Sequence, residues 1–177
     1  MKMLFMGAFL LVSVIAVRSL LKEERRERHV EESTHIEAPP QAVWKLLCDL
    51  SRIPEYVYFV REVFDISGPA DLGVVYKERA KPGLFESVSE WRITVFEPPL
   101  RQAHECAMPE MDASVMSHLE PEDSGTRYSL SMDFVILPRI RPLGMLLETL
   151  FVERKVQSDC RRVLGACKRI VEAEEAP

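Results

Sequence analysis

The sequence predicts an α+β domain, a curved antiparallel sheet around one long C-terminal helix, preceded by an N-terminal transmembrane helix. Three observations predict it. Residues 3–21 are almost free of charge. The middle of the chain alternates apolar and polar residues in short runs separated by Pro- and Gly-containing turns. The C-terminal stretch repeats apolar residues at helical spacing, with no proline between Pro142 and Pro177.

The apolar start comes first. Met3 to Val17 is fifteen residues without a charge, rich in Leu, Val, Phe and Ile. Arg18 interrupts the run and Leu20-Leu21 extend it. Counted to Leu21, with the Arg18 side chain reaching toward the interface, it just meets the roughly 17–20 residues a bilayer core requires. Arg18, Lys22, Arg25, Arg26 and Arg28 follow the run, against Lys2 and the amino terminus before it. The basic flank stays inside, so a single-pass anchor would leave the domain facing the cytoplasm. The alternative is a cleaved secretory signal ending near Val14-Ile15-Ala16, which would export the domain. The expected division is an anchor with a charged juxtamembrane extension over 1–28, read as a solvated helix end, and one domain over 29–177.

The net charge of the 177 residues is −5. Residues 1–28 hold six basic residues and three glutamates, so they carry +3 and the remainder carries −8. An acidic domain lacks the clustered Lys and Arg that phosphate contacts need, which argues against nucleic acid as a partner. The basic flank suits anionic headgroups. Cys48, Cys106, Cys160 and Cys167 are too few for a disulfide scaffold. Cys160 and Cys167 would stand about 10 Å apart on a helix, too far to bridge, so all four read as buried thiols.

The elements follow in order. A short strand ends near Ile36-Glu37, broken by Ala38-Pro39-Pro40. Pro40 suits the first turn of a helix over Gln41 to Leu50, whose buried face is Val43, Trp44, Leu46, Leu47 and Leu50. Ser51 to Tyr56 is a second short helix or turn. Phe59–Ile66 and Val74–Ala80 read as strands, with turn signals at Ser67-Gly68-Pro69 and Asp71-Leu72-Gly73. In Ser87–Phe96, Trp91, Ile93 and Val95 fall on one face. Arg101–Met108 and Ala113–Leu119 are weaker strands, and Pro121 to Gly125 is a hairpin turn. Tyr128, Leu130, Met132, Phe134 and Ile136 make the cleanest alternation. Leu147, Leu150, Phe151, Val156, Cys160, Val163, Leu164, Cys167, Ile170 and Val171 mark the long helix. Consecutive strands joined by short turns give antiparallel pairing, and only that helix is able to cover the sheet's apolar face.

The run from Val30 to Leu50 resembles the opening of the SRPBCC, or START-like, superfamily, and within it the polyketide cyclase/dehydrase and lipid-transport branch. The resemblance rests on Ile36-x-Ala38-Pro39, Val43-Trp44 and Asp49, then Pro54-Glu55-Tyr56, Gly73 with Tyr76, Trp91 to Thr94, Pro98 to Arg101, and Gly125 to Arg127. It covers roughly His29 to Glu172. It implies a helix-grip fold whose cavity, between sheet and helix, holds lipids, sterols, polyketides or quinones. It supplies no fixed catalytic set, and it makes Trp44 and Asp49 framework residues.

Common catalytic signatures are missing: no Gly-x-Ser-x-Gly elbow, no Gly-rich phosphate loop and no His-Glu-x-x-His helix. His29, His35, His104 and His118 show no ligand spacing, so neither a metal nor a cofactor is expected. His104 alternates with Cys106 and Met108. It reads either as an acid or base in the cavity or, more plainly, as a hydrogen-bonded structural histidine. Glu90 and Arg61 read as solvated sheet residues. Tyr76, Trp91, Tyr128, Leu130, Met132 and Phe134 share one expected face and, with Leu147 and Phe151, would line a pocket or fill a core.

Three functions fit. The first is membrane-tethered binding, with transfer as an extension, of a lipid-, quinone- or polyketide-like molecule. The second is an aromatase/cyclase-type enzyme. The third is a protein-interaction module with a filled core. Nothing in the residues names the ligand or the oligomeric state.

Overall fold

The computed structural model describes residues 27–81, 86–107, 111–136 and 142–176. The segment 3–21 and the side chains of residues 142–151 lie outside the described residues. Among the described residues no helix is long and apolar enough to cross a membrane.

Each alternating run becomes a strand because its neighbour follows through a short turn. The strands are β1 (Glu27–Ile36), β2 (Val60–Phe64), β3 (Val75–Ala80), β4 (Ser87–Glu97), β5 (Arg101–Ala107), β6 (Met111–Glu122) and β7 (Gly125–Ile136). They form one sheet in the order β1-β7-β6-β5-β4-β3-β2, and each neighbouring pair is antiparallel. The first strand pairs with the last along ten residues, Glu27 opposite Val135 and Ile36 opposite Thr126. Glu27 and Arg28 are therefore strand, not the end of a charged helix. β6 runs twelve residues, longer than its weak alternation suggested.

Three helical pieces complete the chain. α1 (Pro40–Cys48) starts on a proline whose missing N–H would be unpaired there anyway. It buries Val43, Trp44, Leu46 and Leu47, the face its spacing predicted. Asp49 accepts from the Ser51 N–H at 3.2 Å and so caps the 3₁₀ turn Leu50–Arg52, which leads into α2 (Ile53–Tyr56). That is a framework role. α3 (Pro142–Glu175) is 34 residues, about 50 Å long.

The register fixes the concave face. Ile36, Thr126, Tyr128, Leu130, Phe134, Leu119 and Ile93 point inward and are buried. Cys160, Val163, Leu164, Cys167 and Val171 form the buried stripe of α3 against them. Each such side chain contributes about 1.5–3 kcal/mol of hydrophobic burial. Polar contacts hold the helix in place. Arg161 pairs with Glu32 at 2.8 Å, Lys168 donates to the His35 carbonyl at 2.8 Å, and Glu172 accepts from the Glu37 N–H at 2.8 Å.

One expectation on β4 fails. The register slips between Ile93 and Val95, a bulge at Thr94. Ile93 is fully buried, Val95 is only half-buried, and Phe96 turns inward to meet Trp44 with ring centroids 5.3 Å apart. The extra residue shifts the alternation by one position, so the shared face ends at Ile93. Glu90 and Arg61 are exposed, as expected.

Candidate functional site

α3 packs against β1 and β7, and a cavity of about 290 Å³ remains between the helix and the rest of the sheet. That is near the lower end of the ~300–1,000 Å³ usual for small-molecule sites. The wall is mostly apolar. β7 supplies Tyr128, Leu130 and Met132, β3 supplies Tyr76, and β4 supplies Trp91. α2 and α3 close it with Ile53, Tyr56, Val156, Cys160 and Val163. Phe134 lies on the same face but is buried in the core beyond the cavity. The side chains of Leu147 and Phe151 lie outside the described residues.

Polar groups interrupt the apolar wall, and four of them are taken in turn. The first is His104, whose Nδ1 is 2.8 Å from the Tyr76 hydroxyl. The rings meet edge-on, with centroids 5.7 Å apart. Burial pushes the imidazole down to about 4, so it is neutral near pH 7. The second is Glu78, 7% exposed. Burial pushes its carboxyl up to about 7, partly offset by the Trp91 indole N–H. The Trp91 indole also donates to Ser89 Oγ at 3.0 Å. The third is Gln102, 3% exposed, whose Nε2 donates to the Leu47 carbonyl at 3.4 Å while its Oε1 has no partner among the described residues. The fourth is Ser117, 3.0 Å from the Tyr128 hydroxyl. That pairing makes the Tyr128 hydroxyl part of the packing.

Glu78 and Gln102 were not singled out from the sequence, yet alternation contained them. Tyr76, Glu78 and Ala80 must share a face, as must Gln102, His104 and Cys106. At the cavity edge, Asp159 is neutralised by Lys155, whose ammonium also donates to the Tyr58 hydroxyl at 2.7 Å. Burial raises the thiols, Cys160 to about 11 and Cys106 to about 12, which disfavours the nucleophilic thiolate form. Among the described residues no cluster of His, Cys, Asp or Glu is arranged to hold a metal.

A larger depression of about 530 Å³ lies on the outer side of the sheet, over Arg92, Glu105, Ser114 and Asp133. Those residues are charged or polar and partly or fully exposed, so an apolar guest would stay in contact with water there. The inner cavity is the better site.

Solved structures share the fold at low identity. A Thermus thermophilus protein is 20% identical, with a TM-score of 0.71 over 84% of this chain and 100% of its own. The Zhui aromatase/cyclase from a Streptomyces species is 22% identical, with a TM-score of 0.68 over 86% of this chain and 100% of its own. A START superfamily protein from Mycobacterium smegmatis is 9% identical, with a TM-score of 0.67 over 82% of this chain and 98% of its own. No curated protein matches the chain at a significant level. The helix-grip architecture and a family match over residues 27–172 agree, and the chain belongs to the polyketide cyclase/dehydrase and lipid transport family.

Proposed function

We propose that this protein binds a hydrophobic small molecule, lipid-, quinone- or polyketide-like, in the cavity between the sheet and α3, and that residues 3–21 tether it to the cytoplasmic face of a membrane. The observation that carries the reading is the cavity itself. Interiors are normally packed to crystal density, and a largely apolar void of this size is costly unless something fills it. Membership of the family supports the same ligand class.

The topology supports the tether. β1 begins at Glu27, opposite Val135 near the end of β7. The same end of the sheet holds Ala80 opposite Ser87 and Ala107 opposite Asp112. Ala80 and Ser87 also line the cavity. An anchor ending near Leu21 would bring that end toward the bilayer, where apolar ligands concentrate, and tethering raises their local concentration.

An enzymatic reading of the aromatase/cyclase kind is favoured by one observation: Glu78 is held near 7, suited to general acid–base work, beside an apolar wall. The Zhui protein carries that activity in its name. The filled-core interaction module has the cavity against it.

Native mass spectrometry of the full chain, extracted in mild detergent, tests the binding reading. A bound species of constant mass is expected, lost in Leu130→Trp, which fills the cavity. Protein that is always empty, or a bound mass unchanged in Leu130→Trp, contradicts it.

A further inference from the structure

Glu78 is a carboxyl built into an apolar wall. It shares one face of β3 with Tyr76 and Ala80 and is paired across to Ser89 on β4, and all three line the same cavity. It is 7% exposed, and what remains of its surface opens on that space. Among the described residues the wall holds no lysine or arginine, and none acts on the carboxyl. The donor near it, the Trp91 indole N–H, is shared with Ser89 Oγ.

The titratable groups around it do not supply the missing charge. Tyr76 beside it, Tyr56 on α2, Cys106 on β5 and Cys160 on α3 are all kept neutral by burial. His104 on β5, pushed down to about 4, is neutral as well. Asp159 on α3 lines the cavity too, but Lys155, one helical turn away, already pairs with it. Glu78 is thus a buried acid with no cationic partner among the described residues.

A guest can bring one. A carboxylate in a dry site is costly when alone and far less so when paired and hydrogen-bonded. An ammonium carries three donors and no acceptor, so it meets carboxylate oxygens with charge-assisted hydrogen bonds. An alcohol supplies one neutral bond and leaves the charge uncompensated. A carboxylate guest meets a like charge. The apolar body of the guest then packs on Ile53, Leu130, Met132, Val156 and Val163.

We propose that the cavity selects compact apolar amines, the protonated amine pairing with the Glu78 carboxylate, and that it takes neutral alcohols less well and carboxylates least. This rests on the binding function proposed above and adds the charge of the guest. The proton balance follows. Below about pH 7 Glu78 starts protonated, and the incoming ammonium displaces that proton to solvent; at pH 8 there is none to displace.

Three probes of nearly equal shape test it: 2-naphthylmethylamine, 2-naphthylmethanol and 2-naphthoate. They are titrated calorimetrically into the full chain in mild nonionic detergent, with detergent-only blanks. At pH 8 the amine should bind about 10-fold tighter than the alcohol, and naphthoate weakest. In Glu78→Gln that preference should vanish, whereas Glu90→Gln, on the outer face, should keep it. Repeating the amine titration at pH 6 in buffers of different ionisation heat should show most of one proton released by the wild type. An amine that binds no tighter than the alcohol, a preference that survives in Glu78→Gln, or binding at pH 6 without proton release overturns the selectivity and leaves cavity binding standing. No binding of any probe overturns both. The wild-type series and its proton count give their answer even if Glu78→Gln fails to fold.

Discussion

Replacing Glu78 by glutamine should make the protein more stable at pH 8 than the wild type, and barely change it at pH 4. Glu78 is 7% exposed, and burial moves its carboxyl from 4.5 to about 7. That displacement amounts to a cost for the charged form on the order of 3 kcal/mol. The sign follows from proton counts. Between pH 4.5 and about 7 the folded state keeps a proton that the unfolded state has released, so stability falls as pH rises through that window. Above about 7 both states are ionised and the full penalty stands. Tyr56, Tyr76, Trp91, His104 and Asp159 surround the same cavity, Cys106 lies close enough to Glu78 to feel its charge, and His104 opposes the trend between about 4 and 6.5. All of them are common to both proteins, so they cancel in the difference. Urea unfolding of wild type and Glu78→Gln, compared at pH 4, 6 and 8, is the assay. The gap between the two should open from near zero to about 3 kcal/mol. Parallel profiles would show that Glu78 is solvated or paired, and would remove the argument that it faces a dry cavity.

Other outcomes are as direct. Gly125→Ala drives a Cβ into the Ile36 carbonyl oxygen, so the β1–β7 pairing must shift; a loss of about 2 kcal/mol or more in urea unfolding is expected. Leu164→Ala, in the α3 stripe, should cost about 2–5 kcal/mol, whereas Arg161→Ala, which removes a largely exposed partner of Glu32, should cost less than about 1. Carbonate washing should leave the full chain in the membrane fraction, and protease added outside intact cells should not reach the domain; release into the supernatant would refute the anchor.

Much of the fold was legible because burial and periodicity agreed. Tyr128, Leu130, Met132 and Phe134 alternate without a break, and β7 carries them all inward. Cys160, Val163, Leu164, Cys167 and Val171 recur at helical spacing and face the sheet. What was missed has physical causes. The bulge at Thr94 depends on how β4 pairs with β5, and no residue type within β4 announces it. Glu27 and Arg28 read as helix from charge alternation, yet the open edge of β7 recruits them as strand. Glu78 is the instructive miss. Its alternation with Tyr76 placed it inside and its charge placed it outside. Such conflicts tend to mark functional positions, and here alternation prevailed at a cavity.

The central claim is that the space between the concave sheet and α3 admits an apolar guest. Methyl NMR of methionine-labelled protein under xenon tests it without assuming a ligand. Met132 lines the cavity, and Met116 sits on the opposite face of the sheet, paired with Ser131. Xenon enters dry apolar cavities and perturbs the methyl groups it touches. The account predicts a saturable shift for the Met132 methyl and none for Met116. An unmoved Met132, or equal shifts at both, would contradict it.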